Sequence, residues 1–195
     1  MTELDYSISN ISSIIKGALH TDRSDDMSIK ELLIDSRKLI NTENCIFFAL
    51  KSKRNDGHKY IKNLYKRGLR NFIVCELPDQ EEYIRNANYI LVKDTLLALQ
   101  QLSAYHRSQM NYPVIGITGS NGKTIVKEWI YQALHEDMRV HRSPKSYNSQ
   151  IGVPLSVWQM KSDHDLAVIE AGISEPEEMT KLQKIIQPNI GIFTN

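Results

Sequence analysis

No apolar run in these 195 residues approaches the ~20 that a membrane-spanning helix needs, and the acidic start Met1-Thr2-Glu3-Leu4-Asp5 is no signal peptide. An excess of one charge is also missing. With 24 Lys and Arg against 23 Asp and Glu, the net charge of +1 gives no reason to expect nucleic acid or an anionic membrane as the main partner. Any anion must be held by a local site. Cysteine is scarce: Cys45 and Cys75 each lie in an apolar stretch and read as buried free thiols in a reducing cytoplasm, with a single disulfide as the alternative. Apolar residues make up 41%, a little under the usual ~45–50%, so the interior is slightly thin. Glycine is sparse in the first 110 residues (Gly17, Gly57, Gly68) and crowded afterwards (Gly116, Gly119, Gly122, Gly152, Gly172, Gly191). Repeats and low-complexity tracts are absent. What remains is a soluble, cytoplasmic protein of roughly 1.3 domains at ~150 residues each, either one large domain or two small ones.

The apolar pattern predicts a helix over residues 8–16, with Ser7 as its N-cap and Gly17 as its stop. Short apolar runs at Leu32–Ile34, Ile46–Leu50, Phe72–Val74 and Tyr89–Val92 suit strands. Tyr60, Ile61 and Leu64 recur at helical spacing between the second and third. Asp94 can cap a helix reaching about Met110, which ends before Asn111-Tyr112-Pro113. Then come a buried-strand signature at Val114–Ile117, a glycine-rich turn, and a helix from Lys123 to about His135. Later strands are expected at Leu166–Ile169 and Ile190–Phe193, with a helix between them that Ser174 caps and whose first turn holds Pro176. Strand and helix alternate, so the fold class is α/β with parallel sheets: a small domain over 1–110 that includes the linking helix, and a second from 111.

The strongest chemical signal is Gly116-Ile117-Thr118-Gly119-Ser120-Asn121-Gly122-Lys123-Thr124. A glycine-rich loop between strand and helix can lay backbone N–H groups on a phosphate chain, with the positive end of the helix behind them. Lys123 would reach the β- and γ-phosphates and the Thr124 hydroxyl would hold Mg²⁺. The match to the common phosphate-loop pattern is imperfect, because Ile117 stands where its first glycine belongs. The bland alternative is a glycine turn followed by an exposed lysine. Glu170 ends the apolar run Leu166–Ile169 and can supply the metal's carboxylate, or make an ordinary strand-end salt bridge. Ser146-Tyr147-Asn148-Ser149-Gln150 is a second polar cluster, or a solvated turn. In the first domain, Asp35-Ser36-Arg37 ends a strand and Asp56-Gly57-His58 opens a helix. Arg37 either offers its fork to phosphate oxygens or pairs with Asp35, and His58 alone is more readily a capping or packing residue than a catalytic one.

Together these words resemble the Mur ligases of bacterial cell-wall synthesis, within them the branch that adds D-alanyl-D-alanine to UDP-N-acetylmuramoyl-tripeptide. The resemblance rests on Asp35-Ser36-Arg37, Phe47-Phe48-Ala49-Leu50, Asp56-Gly57-His58, the loop Gly116 to Thr124, Asn148 with Ile151-Gly152-Val153-Pro154-Leu155, Glu170-Ala171-Gly172 and Thr194-Asn195, in the family's order along nearly the whole chain. It accounts for the unusual loop, since the family's own loop dispenses with the earlier glycine. There are departures: Ser52 stands where glycine is usual, Leu64 and Leu69 where alanines are, and Ser149 replaces the second asparagine of an Asn-Asn pair.

The resemblance implies ATP-dependent amide synthesis through an acyl phosphate. ATP would be held by Gly119, Ser120, Asn121, Gly122, Lys123 and Thr124, and Mg²⁺ by Thr124 and Glu170. Lys123, Glu170 and Asn148 would carry the catalysis. Ser36, Arg37, Asp56, Gly57 and His58 would bind the UDP end of the substrate. It also implies that the family's chain continues past Thr-Asn with further metal-site residues and a third domain. An N-terminal piece, covering the UDP-binding domain and part of a phosphate-loop ATPase domain over 111–195, is therefore expected and should not ligate alone. The wording of residues 143–150 resembles the Bacteroidetes variant fused to an alanine racemase. A stand-alone nucleotide-binding module is the alternative function. An unrelated phosphate-loop kinase or GTPase would leave the first 110 residues unexplained.

Overall fold

The computed structural model describes residues 6–52, 55–79, 85–173 and 176–195. Ser174, the expected cap, lies outside them. The chain divides into two compact units, Thr2–Leu99 and Gln100–Asn195. In the first, α1 (Ile8–Ile14) begins where the Ser7 hydroxyl accepts the Asn10 N–H, and it buries Ile8 and Ile11. The sheet holds β1 (Ala18–Thr21), β2 (Glu31–Leu33), β3 (Cys45–Phe48), β4 (Asn71–Val74) and β5 (Asn88–Leu91), in the order β1-β5-β4-β3-β2. Strands β2 to β5 are parallel, and β1 joins β5 antiparallel.

Every residue of β3 and β4 is buried, because a parallel strand is covered on both faces. This is why their sequences are nearly unbroken apolar runs. Ile61 and Leu64 of α2 (Ile61–Lys66) pack on Phe47, Phe72 and Tyr89, whose last two rings stack at 4.9 Å. A polar chain crosses four strands, from exposed Thr21 into the buried pair Asn88 and Asn71: Thr21 donates to Asn88 Oδ1 (2.6 Å), Asn88 to Asn71 Oδ1 (2.8 Å) and Asn71 to the Cys45 carbonyl (3.1 Å). Both cysteines are free. Burial pushes the Cys45 thiol up to about 12, whereas Cys75, expected to be buried, is only partly covered at the end of β4.

Asp94 caps α3 (Thr95–Ser108) by accepting the Leu96 and Leu97 N–H groups. The second unit then runs β6 (Val114–Gly119), α4 (Lys123–Leu134), β7 (Val140–Arg142), α5 (Gly152–Trp158), β8 (Leu166–Glu170), α6 (Glu178–Ile186) and β9 (Ile190–Thr194). Its sheet has the order β7-β8-β6-β9, all parallel. Alternation along β8 assigns its residues to two layers. Ala167 and Ile169 pack with Val153 and Val157 of α5 and with Leu182 and Ile185 of α6. Leu166 and Val168 pack with Val126 and Ile130 of α4. Pro176 precedes α6 instead of sitting in its first turn, since that helix starts at Glu178. Among the described residues no helix is long and apolar enough to cross a membrane.

Candidate functional site

The turn from β6 into α4 takes backbone shapes that only glycine adopts freely. Gly119 has φ +134° and Gly122 φ +80°, and a Cβ at 119 would run into the backbone and hydroxyl of Thr194. The end of β9 braces this loop: Thr194 Oγ1 donates to the Asn121 carbonyl (2.5 Å) and Asn121 N–H to the Asn195 carbonyl (2.6 Å). Ser120, Asn121 and Gly122 are exposed just before the N-terminus of α4, where the first N–H groups of a helix lack intrahelical partners. Lys123 folds back over the loop, its Nζ 2.5 Å from the Gly119 carbonyl and 3.2 Å from that of Ser120.

The period of two that places Leu166 and Val168 toward α4 also places Glu170 there, fully buried. Thr124 Oγ1 donates to Glu170 Oε2 at 3.1 Å, and Lys127 Nζ lies 3.0 Å from Glu170 Oε1. Lys127 is itself wholly buried. It donates to the carbonyls of Ser143 (2.8 Å) and Lys145 (2.6 Å), with Glu128 Oε1 at 3.2 Å. Ser143 Oγ accepts the Glu170 N–H at 3.0 Å, so Glu170 is held at both backbone and side chain. Gly172 N–H donates to the Asn148 carbonyl at 2.7 Å, which brings the polar cluster to the same edge of the sheet.

These residues suit a hard divalent cation on a phosphate chain. A hydroxyl and a carboxylate oxygen are the donors Mg²⁺ prefers, and neighbouring ligands of an octahedron with ~2.1 Å bonds stand about 3 Å apart. The Thr124 to Glu170 spacing of 3.1 Å matches. The loop beside them offers backbone N–H groups, a helix N-terminus and the Lys123 ammonium, the three things a phosphate needs.

In the first unit the C-terminal ends of β2, β3 and β4 carry the other expected residues. Asp35 takes Nε (2.9 Å) and Nη2 (2.7 Å) of Arg37, whose side chain is nevertheless 86% exposed. That hydrogen-bonded guanidinium holds the Asp35 carboxyl at about 2. Ser36 opens a 3₁₀ turn whose carbonyls at Ser36 and Leu39 are tied by Arg67. Gly57 is buried with no room for a Cβ, which would lie 2.8 Å from the Ala49 and Leu50 backbone. The Cys75 N–H donates to His58 Nε2 (2.9 Å), so Nδ1 carries the proton and gives it to Asp56 Oδ1 (2.6 Å). Both ring nitrogens are thus engaged within the chain. The backbone N–H of His58, with its ring, holds the Asp56 carboxyl at about 2. Asp56, His58 and Glu76 have cation-binding spacing, and the cation beside them is Lys51 Nζ, 3.4 Å from Asp56 and 3.6 Å from Glu76.

Comparison with known proteins agrees with this arrangement. The family model for the Mur ligase middle domain matches residues 117–195. The UDP-N-acetylmuramoyl-tripeptide–D-alanyl-D-alanine ligase of Bacillus subtilis is 34% identical over 189 residues, 96% of this chain and 40% of the relative. Residues 117–195 carry the Mur ligase middle domain, and along 96% of its length the chain is similar to a ligase of that family. The Escherichia coli ligase of the same name is 29% identical, over 98% of this chain and 40% of its own length. Among solved structures, MurF from Acinetobacter baumannii superposes with a TM-score of 0.88 at 30% identity, covering 99% of this chain and 41% of that one. MurF ligase from Thermotoga maritima in complex with ADP gives 0.70 at 27% identity, covering 82% and 36%. The chain thus spans about 40% of the length of the Mur ligases it matches.

Two residues of this candidate site escape a reading by motif. Lys127 lies on the sheet-facing side of α4 with Ile130 and Leu134, and a lysine on an apolar stripe signals a buried acidic partner. Ser143 carries no such signal; its role depends on β7, which three residues scarcely announce.

Proposed function

We propose that this chain carries the substrate-binding and nucleotide-binding part of an ATP-dependent amide ligase of peptidoglycan precursor synthesis, working in the cytoplasm. The proposed reaction joins D-alanyl-D-alanine to UDP-N-acetylmuramoyl-tripeptide. The terminal carboxylate of the tripeptide takes the γ-phosphoryl group of ATP, and the dipeptide amine then displaces inorganic phosphate from the acyl phosphate. The observation that carries this reading is the Thr124 hydroxyl set 3.1 Å from the buried Glu170 carboxylate at the mouth of a glycine loop.

In this reading residues 1–110 bind the UDP-muramoyl peptide and 111–195 form part of the ATP-binding domain. Bound Mg²⁺ would supply neutralisation of phosphate charge, held by Thr124 and Glu170. The loop Gly119 to Gly122 and the start of α4 cradle the phosphates with those backbone N–H groups that the Asn195 carbonyl does not already take, as it takes that of Asn121, and Lys123 swings from the loop carbonyls onto the β- and γ-oxygens, where its charge stabilises the transferring group. Asn148, fastened beside Gly172, orients the reacting end. Arg37, steadied by Asp35, offers its remaining N–H groups to the diphosphate, with Ser36 beside it. Asp56, Gly57 and His58 shape the adjoining turn.

Calorimetry with UDP-muramoyl tripeptide and with Mg-ADP, each titrated separately, tests the assignment. One site for each is expected, and heat from neither ligand would overturn it. Because the chain spans about 40% of its relatives' length, the expected outcome with both substrates and ATP is binding without ligation.

A further inference from the structure

Lys127 is an expensive residue to bury. Its side chain and that of Glu170 are both 0% exposed, and a buried ion pair is seldom worth more than apolar packing of the same volume. Stability alone therefore gives little reason for a lysine on the core stripe of α4. Its surroundings suggest another. A carboxylate turns readily about its last side-chain bond, and Glu170 has two equivalent oxygens. Lys127 Nζ, itself held by the Ser143 and Lys145 carbonyls, pairs by charge with Oε1 at 3.0 Å without hydrogen-bond geometry, and Oε2 is left to face Thr124. Thr124 and Lys127 stand three residues apart on α4, so one helical turn sets both distances together.

We infer that Lys127 is a positioning residue that locks the Glu170 carboxylate in the rotation that aims Oε2 at the cation shared with Thr124. This inference rests on the metal-nucleotide reading of that site. Partners of metal ligands that act through orientation typically govern about 10- to 100-fold in metal affinity. Lys127→Met should therefore weaken the Mg²⁺ dependence of ADP binding by that factor, while ADP binding in EDTA stays within about twofold of the unsubstituted chain.

The test is calorimetric titration of ADP over a Mg²⁺ series and in EDTA, with folding checked by circular dichroism. An unchanged Mg²⁺ dependence would overturn the inference. So would equal losses with and without Mg²⁺, which mark a merely structural role. Lys127→Met strands a buried carboxylate, and if it fails to fold, Glu170→Gln is compared with Lys127→Met/Glu170→Gln, in which no buried charge remains unpaired. If Lys127 acts through Glu170, the two bind Mg-ADP alike, whereas a further tenfold loss in the double variant overturns the inference. Failure of the unsubstituted chain to bind Mg-ADP at all would instead remove the nucleotide reading, and this inference with it.

Discussion

If Arg37 meets the substrate's diphosphate as proposed, its pairing with Asp35 prepares it for that contact. A free arginine on the surface must surrender much rotamer freedom to bind, and holding Nε and Nη2 on Asp35 removes most of that cost beforehand. Asp35 keeps its charge well below the normal carboxylate range, so the fork stays set at any pH where a diphosphate is ionised. Arg37→Ala is expected to weaken UDP-muramoyl tripeptide binding roughly tenfold, the scale of one lost charge-assisted hydrogen bond. Asp35→Asn, which frees the fork without removing it, should cost less, and Mg-ADP binding should be unaffected by either change. Titration calorimetry of the three proteins gives the ranking, and an effect of Asp35→Asn as large as that of Arg37→Ala would mean that Asp35 does more than orient.

Elements read from the sequence in proportion to how far their own residues determine them. The fully buried strands β3, β4 and β8 and the glycine loop were legible, because covering both faces demands an apolar run and a left-handed turn demands glycine. Strand β1, exposed at every position, reads Ala-Leu-His-Thr with no alternation, and only its pairing to β5 makes it a strand. Helix α5 hides behind Gly152 and Pro154, which look like a turn yet fit a first helical turn, where no N–H partner is needed. The same dependence on tertiary partners makes Arg107 invisible in sequence. On α3 it is buried and donates to the carbonyls of Met110 (3.0 Å), Ile186 (2.9 Å) and Gln187 (3.0 Å), closing the C-terminal end of α6. Arg107→Met leaves those acceptors without their donor and should cost about 3 kcal/mol in urea denaturation. Arg107→Lys should recover only part, since one ammonium cannot span the guanidinium's fork.

On the scale of the whole molecule, both units place their candidate residues at the C-terminal ends of parallel strands, and the stability of the scaffold beneath is tied to pH by a histidine outside those residues. His141 on β7 is buried, donates Nε2–H to the Ser156 carbonyl (2.9 Å) and has the His164 ring 5.3 Å away. Burial, followed by the nearby His164, lowers it to about 4. Burial lowers His106 and His164 as well. Unfolded, each would take up a proton near pH 6.5. Between pH 6.5 and 4 the unfolded chain therefore binds more protons than the folded one, and stability must fall as pH falls. From His141 alone the loss should reach about 3 kcal/mol and then level off, because below pH 4 both states are protonated. Asp35 and Asp56, both held at about 2, act in a separate window: what they contribute is present above pH ~4 and fades only as pH drops toward 2. Urea midpoints measured from pH 7 to 4 should thus slope downward for the unsubstituted chain. They should flatten by nearly one proton for His141→Gln, which keeps a donor for the Ser156 carbonyl but cannot titrate. Equal slopes in the two proteins would show that His141 does not carry the effect.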